Sequence, residues 1–371
     1  MKQEQQIKSS PATLTTSAYL RIVLGFVISA LAIYLVSRDI SYHEVWAVLA
    51  EAHIGYIVLA LLSVAINTLG KALRWKVLIG PSGQHIGFSK VTITLLIGQM
   101  LNTLIPARVG DISRAWVIGG LGPGRAFVFG TIVIEKFLDM IAYTALFLLL
   151  LLLIPIPHWI NQSVSTLTTV AIIVGTGILL LALYRERCYR LLERLLERLP
   201  TRHTQRLVRL VRSGLSSLAI LQSRPDRLRL LGLTILIWIT AILNNYLVLL
   251  ALNLHQQLAA PLVAALVLLV VLQAGLSLPS IPGNIGVFEY GCYMALSLFG
   301  IARATGLSYG ILLHAIVLLP TTLLGLFFFW MLGLSLQQAH QEQSQESTPR
   351  ESTPQRKAGI MAASESDLKG E

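Results

Sequence analysis

Long apolar runs separated by short polar stretches dominate the chain. The runs fall near 18–37, 55–70, 87–105, 126–154, 165–184, 229–252, 260–279, 285–303 and 307–335. Most approach or exceed the ~20 residues with which an α-helix crosses the hydrocarbon core. Lipid offers no partners to bare backbone groups, so such runs must be helical. A transmembrane barrel would show ~10-residue segments of alternating polarity instead. The pattern therefore predicts an all-α, polytopic transmembrane bundle. It divides the chain into a polar N-terminal segment at 1–17, a transmembrane region at 18–335 and a polar tail at 336–371. The tail is rich in Gln, Ser, Glu and Thr, a composition expected to stay disordered. The first run follows a polar lead and no small-x-small cleavage site follows it, so it is read as an uncleaved helix.

Charge changes the picture through its distribution. Charged residues make up 13% of the chain, about half the share of a soluble domain. The formal net charge of +11 would suggest nucleic acid in a soluble protein, but here the cations lie in loops, and no nucleic-acid partner is expected. Segment 185–229 holds twelve arginines and four acidic residues, which places it in the cytoplasm by the positive-inside rule. Leu191, Leu192, Leu195, Leu196 and Leu199 recur at helical spacing in it, as do Leu207, Leu210, Val211 and Leu215. That pattern reads as interfacial helices on anionic lipid headgroups, or as a docking platform for a partner protein. The connections at 38–54, 155–164 and 253–259 together carry one arginine and no lysine, which fits the opposite side. The expected location is the cytoplasmic (inner) membrane, with both termini cytoplasmic.

Parity then constrains the middle of the chain. Segment 71–86, with Lys71, Arg74 and Lys76, and segment 108–125, with Arg108, Arg114 and Arg125, both read as cytoplasmic. Segment 87–105 between them is therefore predicted to be a re-entrant hairpin that breaks near Asn102–Pro106. Its returning limb would carry Arg108, Gly110, Asp111 and Arg114. Pro106 removes a backbone donor and Gly110 permits a sharp turn. A second break is expected at Pro279, Pro282, Gly283 and Gly286. It separates 260–279 from 285–303, either as two crossings or as a second hairpin.

Ionisable residues inside spans are the candidates for chemistry. Glu135, Lys136 and Asp139 lie within one apolar helix, and each costs roughly 2.5–3.5 kcal/mol at mid-bilayer on insertion scales. Glu135 and Asp139 share a face at i, i+4 spacing and call for a cation, with Lys136, Arg108 and Arg114 available. The cluster reads either as an ion-pair network stapling the hairpin to this helix or as the lining of a polar pathway. Interrupted helices also expose backbone dipoles that attract anions, and a neighbouring arginine grips phosphate oxygens in a bidentate way. Glu289 follows the second break with no cation near it in sequence, and His314 lies in the last span. Asn244 and Asn245 read as glue between helices. The run Gly119-Gly120-Leu121-Gly122-Pro123-Gly124 lacks the Lys-Ser/Thr ending of a phosphate loop and reads as a turn. Cys188 and Cys292 read as unrelated thiols. No metal-ligand cluster, nucleophile elbow or other catalytic motif is found, so no metal, cofactor or enzymatic activity is expected.

Three elements, in this order, resemble the lysylphosphatidylglycerol synthase transmembrane-domain family, a flippase-like group of membrane proteins. They are Asn102…Pro106-Ala107-Arg108-Val109-Gly110-Asp111…Arg114, then Glu135-Lys136…Asp139, then Pro279-Ser280…Pro282-Gly283-Asn284-Ile285-Gly286…Glu289. The likeness covers about 18–335. Two positions depart from it: the family often has Glu-Arg at Glu135-Lys136 and an arginine where His314 stands. Two-domain members add a soluble domain that attaches an amino acid to phosphatidylglycerol. This chain has no room for one, so lipid aminoacylation is not expected.

The resemblance implies a lipid-translocating membrane domain, and buried charge beside two helix breaks makes the leading reading a translocase for an anionic or polyisoprenoid phosphate-bearing lipid. Arg108 and Arg114 would engage the phosphate, while Glu135, Lys136, Asp139 and Glu289 shape a polar path. A non-catalytic accessory subunit of an envelope lipid or glycan pathway, docked on its synthase, is the alternative. An integral membrane enzyme acting on a lipid-linked substrate is a third reading.

Overall fold

The computed structural model describes residues 16–37, 40–105, 109–153, 220, 223–275 and 280–346. These form ten α-helices and no strand among the described residues. In order they are α1 (Thr16–Ser37), α2 (Tyr42–Ala50), α3 (Ile54–Ile79), α4 (Phe88–Leu104), α5 (Val109–Gly119), α6 (Arg125–Leu153), α7 (Arg224–Ala251), α8 (Pro261–Gly275), α9 (Val287–Ser297) and α10 (Arg303–Glu346). Four stretches among the described residues are long and apolar enough to cross a bilayer: Ile54–Gly83, Arg125–Leu153, Arg224–Ala251 and Arg303–Leu332. Their large apolar side chains stand exposed, as at Leu69, Val133, Ile239 and Leu323, while Ser63, Arg74, Glu135 and Asn244 are buried. This inside-out arrangement is what lipid imposes, since intramembrane polar groups must find partners within the protein.

Two pairs of shorter helices depart from simple crossings. α4 has 17 residues and α5 has 11, so at 1.5 Å per residue they reach only about 26 and 16 Å. They pack against each other as the predicted hairpin. Ile105 adopts an extended conformation at the end of α4, as the residue before a proline prefers. The two limbs touch through glycines: a Cβ on Gly110 would lie 1.8 Å from the Gly98 carbonyl oxygen. α8, with 15 residues, and α9, with 11, form the second packed pair. Both are shorter than a full crossing needs, so their lengths favour a second hairpin over two spans. The turn before α9 uses left-handed backbone at Gly283, Asn284 and Gly286. A side chain on Gly286 would meet the Ser29 carbonyl of α1 at 2.8 Å, so a close approach adds to the need for glycine there.

α3 and α7 form the central helix pair. Asn67 Nδ2 donates to the Ile237 carbonyl at 2.6 Å and to Thr240 Oγ1 at 2.9 Å, and Ser63 Oγ donates to the Thr240 carbonyl at 2.9 Å. Such polar contacts hold helices together where lipid provides no hydrophobic drive. One apolar cluster, around Val248, Leu268, Leu296 and Tyr309, joins α7 to α8, α9 and α10. A second, around Trp75, Leu95, Ile118 and Ile132, joins α3 to the first hairpin and α6.

Several boundaries differ from the pattern-based expectation. The second run was expected to end at 70, with Lys71, Arg74 and Lys76 in a loop. α3 instead runs to Ile79, because Arg74 is fully buried against a partner on α6 and Lys76 caps the following turn through the Gly83 and Ile86 carbonyls. The connection at 38–54 contains α2, whose N-cap Ser41 accepts the N–H of Glu44 at 3.4 Å. Tyr42 and Trp46 stand exposed one turn apart on it, in the manner of interfacial aromatic anchors. α7 begins at Arg224, so Arg224, Arg227 and Arg229 belong to a helix and not to the basic loop. α10 continues to Glu346, through the first part of the tail expected to be disordered, where Gln, Ala and Glu favour helix propagation. The remainder of the basic loop (185–219, 221 and 222), the run 165–184, Cys188, residues 1–15 and residues 347–371 lie outside the described residues.

Candidate functional site

The charged residues of α5 and α6 meet in one buried network. Arg114 Nη2 lies 2.6 Å from Glu135 Oε2, and its Nη1 lies 3.4 Å from Oε1, a two-pronged pair. Nη1 also approaches Asp111 Oδ1 at 3.5 Å. The stem of Arg114 passes directly over Gly98, where a Cβ would sit 2.6 Å from its Cγ and Cδ. Gly98 therefore serves the ion pair as well as the hairpin crossing. The guanidinium rests 4.0 Å above the Trp75 ring, a favourable cation–π placement. Trp75 in turn donates its indole N–H to Thr131 Oγ1 at 3.1 Å. Asn102 Nδ2 donates to Asp111 Oδ1 at 3.1 Å, which ties the end of α4 to the start of α5.

Asp139 finds a cation that sequence reasoning missed. Arg74 Nη1 of α3 lies 2.7 Å from Asp139 Oδ1, with the arginine side chain fully buried. Lys136 is the peripheral member, 44% exposed and 3.9 Å from Asp111. Such a network costs desolvation that only close pairing and hydrogen bonds offset.

At the second break, Glu289 is partnered twice. Its Oε2 accepts the N–H of Gly286 at 2.6 Å and its Oε1 lies 2.6 Å from His314 Nδ1 on α10. Phe288 stacks on the His314 ring at 4.3 Å. The partner absent from the sequence neighbourhood of Glu289 is thus a histidine one helix away.

Between the tips of the two hairpins lies a cavity of about 410 Å³, within the size range of small-molecule sites. Asn102 and Thr103 at the end of α4, Gly283 and Asn284 at the second break, and His314 on α10 line it. Asn67 and Lys71 of α3 and Asn244 of α7 complete its polar wall. Lys71 is the only lysine or arginine in that wall; among the described residues it makes no hydrogen bond or close ion pair, although Asp139, itself paired with Arg74, lies within electrostatic reach. The Gln99, Asn102 and Asn244 side-chain oxygens are buried without hydrogen-bond partners. Asn244 and Asn245, read from the sequence as glue between helices, are both buried and both line the cavity; Asn245 gives its backbone carbonyl to the Tyr309 hydroxyl at 3.0 Å.

The expected site residues separate accordingly. Arg114, Glu135 and Asp111 come together in the ion network, with Lys136 at its edge and Asp139 in its own pair with Arg74. Arg114 is therefore not a free phosphate ligand: both its terminal nitrogens are directed at carboxylates. Glu289 sits behind His314 at the second break, and Asn102 belongs to both the network and the cavity. Gly110 is the hairpin contact, Pro282, Gly283 and Gly286 build the second turn, and Pro106, Arg108 and Pro279 lie outside the described residues. The glycine-rich 119–124 is a turn, with positive φ at Gly122 and Gly124.

Long helices with apolar exteriors, two hairpins of short helices and a polar cavity at their tips define an integral membrane protein of the helical-bundle kind. The lysylphosphatidylglycerol synthase TM region family matches residues 22–325, and the chain belongs to that family. Membership ties the protein to lipid metabolism, in agreement with the resemblance read from its three motif elements. Among curated proteins, none matches the chain.

Proposed function

We propose that this protein is a lipid translocase that passes the headgroup of an anionic or polyisoprenoid phosphate-bearing lipid through the cavity between the hairpin tips. The observation that carries this reading is Lys71, a lysine in the wall of a polar cavity inside a lipid-embedded bundle, with no hydrogen bond or close ion pair of its own among the described residues. The carboxylate whose charge reaches Lys71, Asp139, is already taken by Arg74, and a phosphate would supply the lysine with a partner of its own. The acyl or prenyl chains remain in lipid while the polar groups of the wall replace headgroup hydration. On this reading Lys71 takes the phosphate contact that the sequence assigns to Arg108 and Arg114, of which Arg108 lies outside the described residues, and the network of Arg114, Glu135, Arg74 and Asp139 staples the first hairpin to α3 and α6. The protein performs no covalent chemistry. It resides in the cytoplasmic membrane with both termini cytoplasmic, an orientation that the arginines of 185–229 support.

The test is lipid flipping in proteoliposomes, read by dithionite quenching of fluorescent phosphatidylglycerol. Wild type is expected to expose inner-leaflet label to quenching, and Lys71→Met is expected to lose most of that exposure. Wild-type traces that match empty liposomes would overturn the reading.

A further inference from the structure

His314 stands in the wall of the cavity with Glu289 behind it. Gly306, Gly310 and His314 follow one another at four-residue spacing on α10, so they share one face. The two glycines bring α10 close against α9. A Cβ on Gly306 would lie 3.2 Å from Tyr293 Cα, and one on Gly310 would lie 3.0 Å from Glu289 Cα. One turn further on, the imidazole is held by the Glu289 carboxylate and by the stacked Phe288 ring. The 2.6 Å contact between Oε1 and Nδ1 requires one proton between them. Oε2 is already taken by the Gly286 N–H, so a second proton enters the pair at Nε2, on the other side of the ring. Among the described residues Nε2 makes no hydrogen bond, and it is not one of the buried side-chain atoms left without a partner. It therefore keeps accessible surface, in a residue that lines the cavity. Lys71, half-buried in the same wall, keeps its Nζ accessible in the same way.

The second proton changes the charge of the wall. With one shared proton the Glu289–His314 pair carries a single negative charge, and with two it is neutral. Lys71 adds one positive charge, while Asp139 and Glu135, the acids within its electrostatic reach, are balanced by Arg74 and Arg114. The wall thus goes from neutral to singly positive when Nε2 is protonated, and only the second state neutralises a phosphodiester. Imidazole is the side-chain group that exchanges protons near neutral pH. At ~30 Å³ per water, the cavity holds about a dozen waters to carry them. The other titratable groups beside the pair are Cys292 on α9 and Tyr309 on α10, both fully enclosed and neither in the cavity wall. Tyr290 and Tyr293 pack with Val36 and Val45 instead, and α1 meets the turn before α9 through Ser29 and Ile33. Helix α8 has no titratable residue, and the wall residues of α4 and α7 are neutral.

We infer that His314 is a proton-binding site in the cavity wall, so that an anionic headgroup binds together with one proton and its translocation is proton-coupled. The inference rests on the translocase reading, whose headgroup it supplies with a counter-charge. By linkage, headgroup and proton each tighten the binding of the other.

The experiment is calorimetric titration of the purified full chain in detergent with dioctanoyl phosphatidylglycerol, in buffers of different ionisation heat. It runs from about pH 5.5 to about pH 8, the range over which imidazole exchanges its proton. The phosphodiester keeps one negative charge throughout, so any proton taken up on binding enters the protein. Wild type is expected to bind about tenfold or more tightly at the acid end than at the alkaline end. It is also expected to take up a proton as it binds, with uptake fading toward both ends. His314→Gln, whose amide can still donate to Glu289, is expected to bind without uptake and with one affinity at every pH. If it fails to fold, His314→Arg, a fixed cation, is expected to give the same flat profile. Binding without proton uptake in wild type overturns the inference, and so does uptake that survives in a folded His314 variant. If that protein nevertheless flips phosphatidylglycerol, the translocase reading stands without it. A wild type that neither binds nor flips phosphatidylglycerol overturns the translocase reading, and the inference falls with it.

Discussion

The ion network beside the first hairpin and the cavity between the hairpin tips divide the polar content of the bundle in opposite ways. The network gathers most of the charge, and its charged groups are matched: Arg114 with Glu135 and Asp111, Arg74 with Asp139. The cavity wall contains one lysine, with no close ion pair among the described residues, and a set of neutral carboxamides. Charge density alone would have pointed to the network as the working site. Charge pairing points to the cavity instead. Arg114 Nε and Arg74 Nε and Nη2 are buried without hydrogen-bond partners, but both arginines already lie against carboxylates. They have little charge left to offer a ligand, while Lys71 has no close ion pair among the described residues. The general lesson is that in a membrane bundle the unmatched residue is more informative than the charged one.

This contrast predicts a graded response to substitution. Glu135→Leu should have the largest effect, since it strands Arg114 without its closest counter-charge. The cost should be about 3–5 kcal/mol, seen as a large fall in melting temperature in detergent, and Arg114→Met in the same chain should restore much of it. Gly110→Ala should follow, at about 3 kcal/mol, the upper end for overpacking, because its methyl group must push α5 away from α4; the same melting experiment reads it. Lys71→Met should leave the melting temperature near wild type but slow lipid flipping by tenfold or more, equivalent to about 1.4 kcal/mol. Lys136→Met should do least. Its ammonium is half exposed at 3.9 Å from Asp111, and a pair of that kind contributes about 0–1 kcal/mol. A Lys136→Met protein that melts as badly as Glu135→Leu would break the distinction between core and edge of the network.

Much of the fold was legible because lipid enforces long apolar runs, and the first hairpin followed from loop charge and parity. The ends of α3 were not, since Lys71 and Arg74 look like loop residues until Asp139 is known to lie opposite Arg74. α2 could have been found: Ser41 and Glu44 have the spacing of a capping box, an outweighed signal in a connection too short to span. The Arg114–Glu135 pair was foreseeable from the need of two acids for a cation. The partners of Asp139 and Glu289 were not, because pairs between helices leave no trace in local spacing. The cavity was the least legible part. Asparagines in spans read first as glue, as Asn67 proves to be toward α7, yet Asn67 and Asn244 both also line the cavity. Only packing shows the second role.

The central claim is that the unpaired cavity, and not the paired network, moves lipid. The most direct measurement compares initial flipping rates in proteoliposomes for Lys71→Met and for the charge-free double variant Arg114→Met/Glu135→Leu, each normalised to reconstituted folded protein. The account predicts that Lys71→Met loses flipping and that the double variant keeps it. Flipping abolished in a well-folded double variant and retained in Lys71→Met would contradict it.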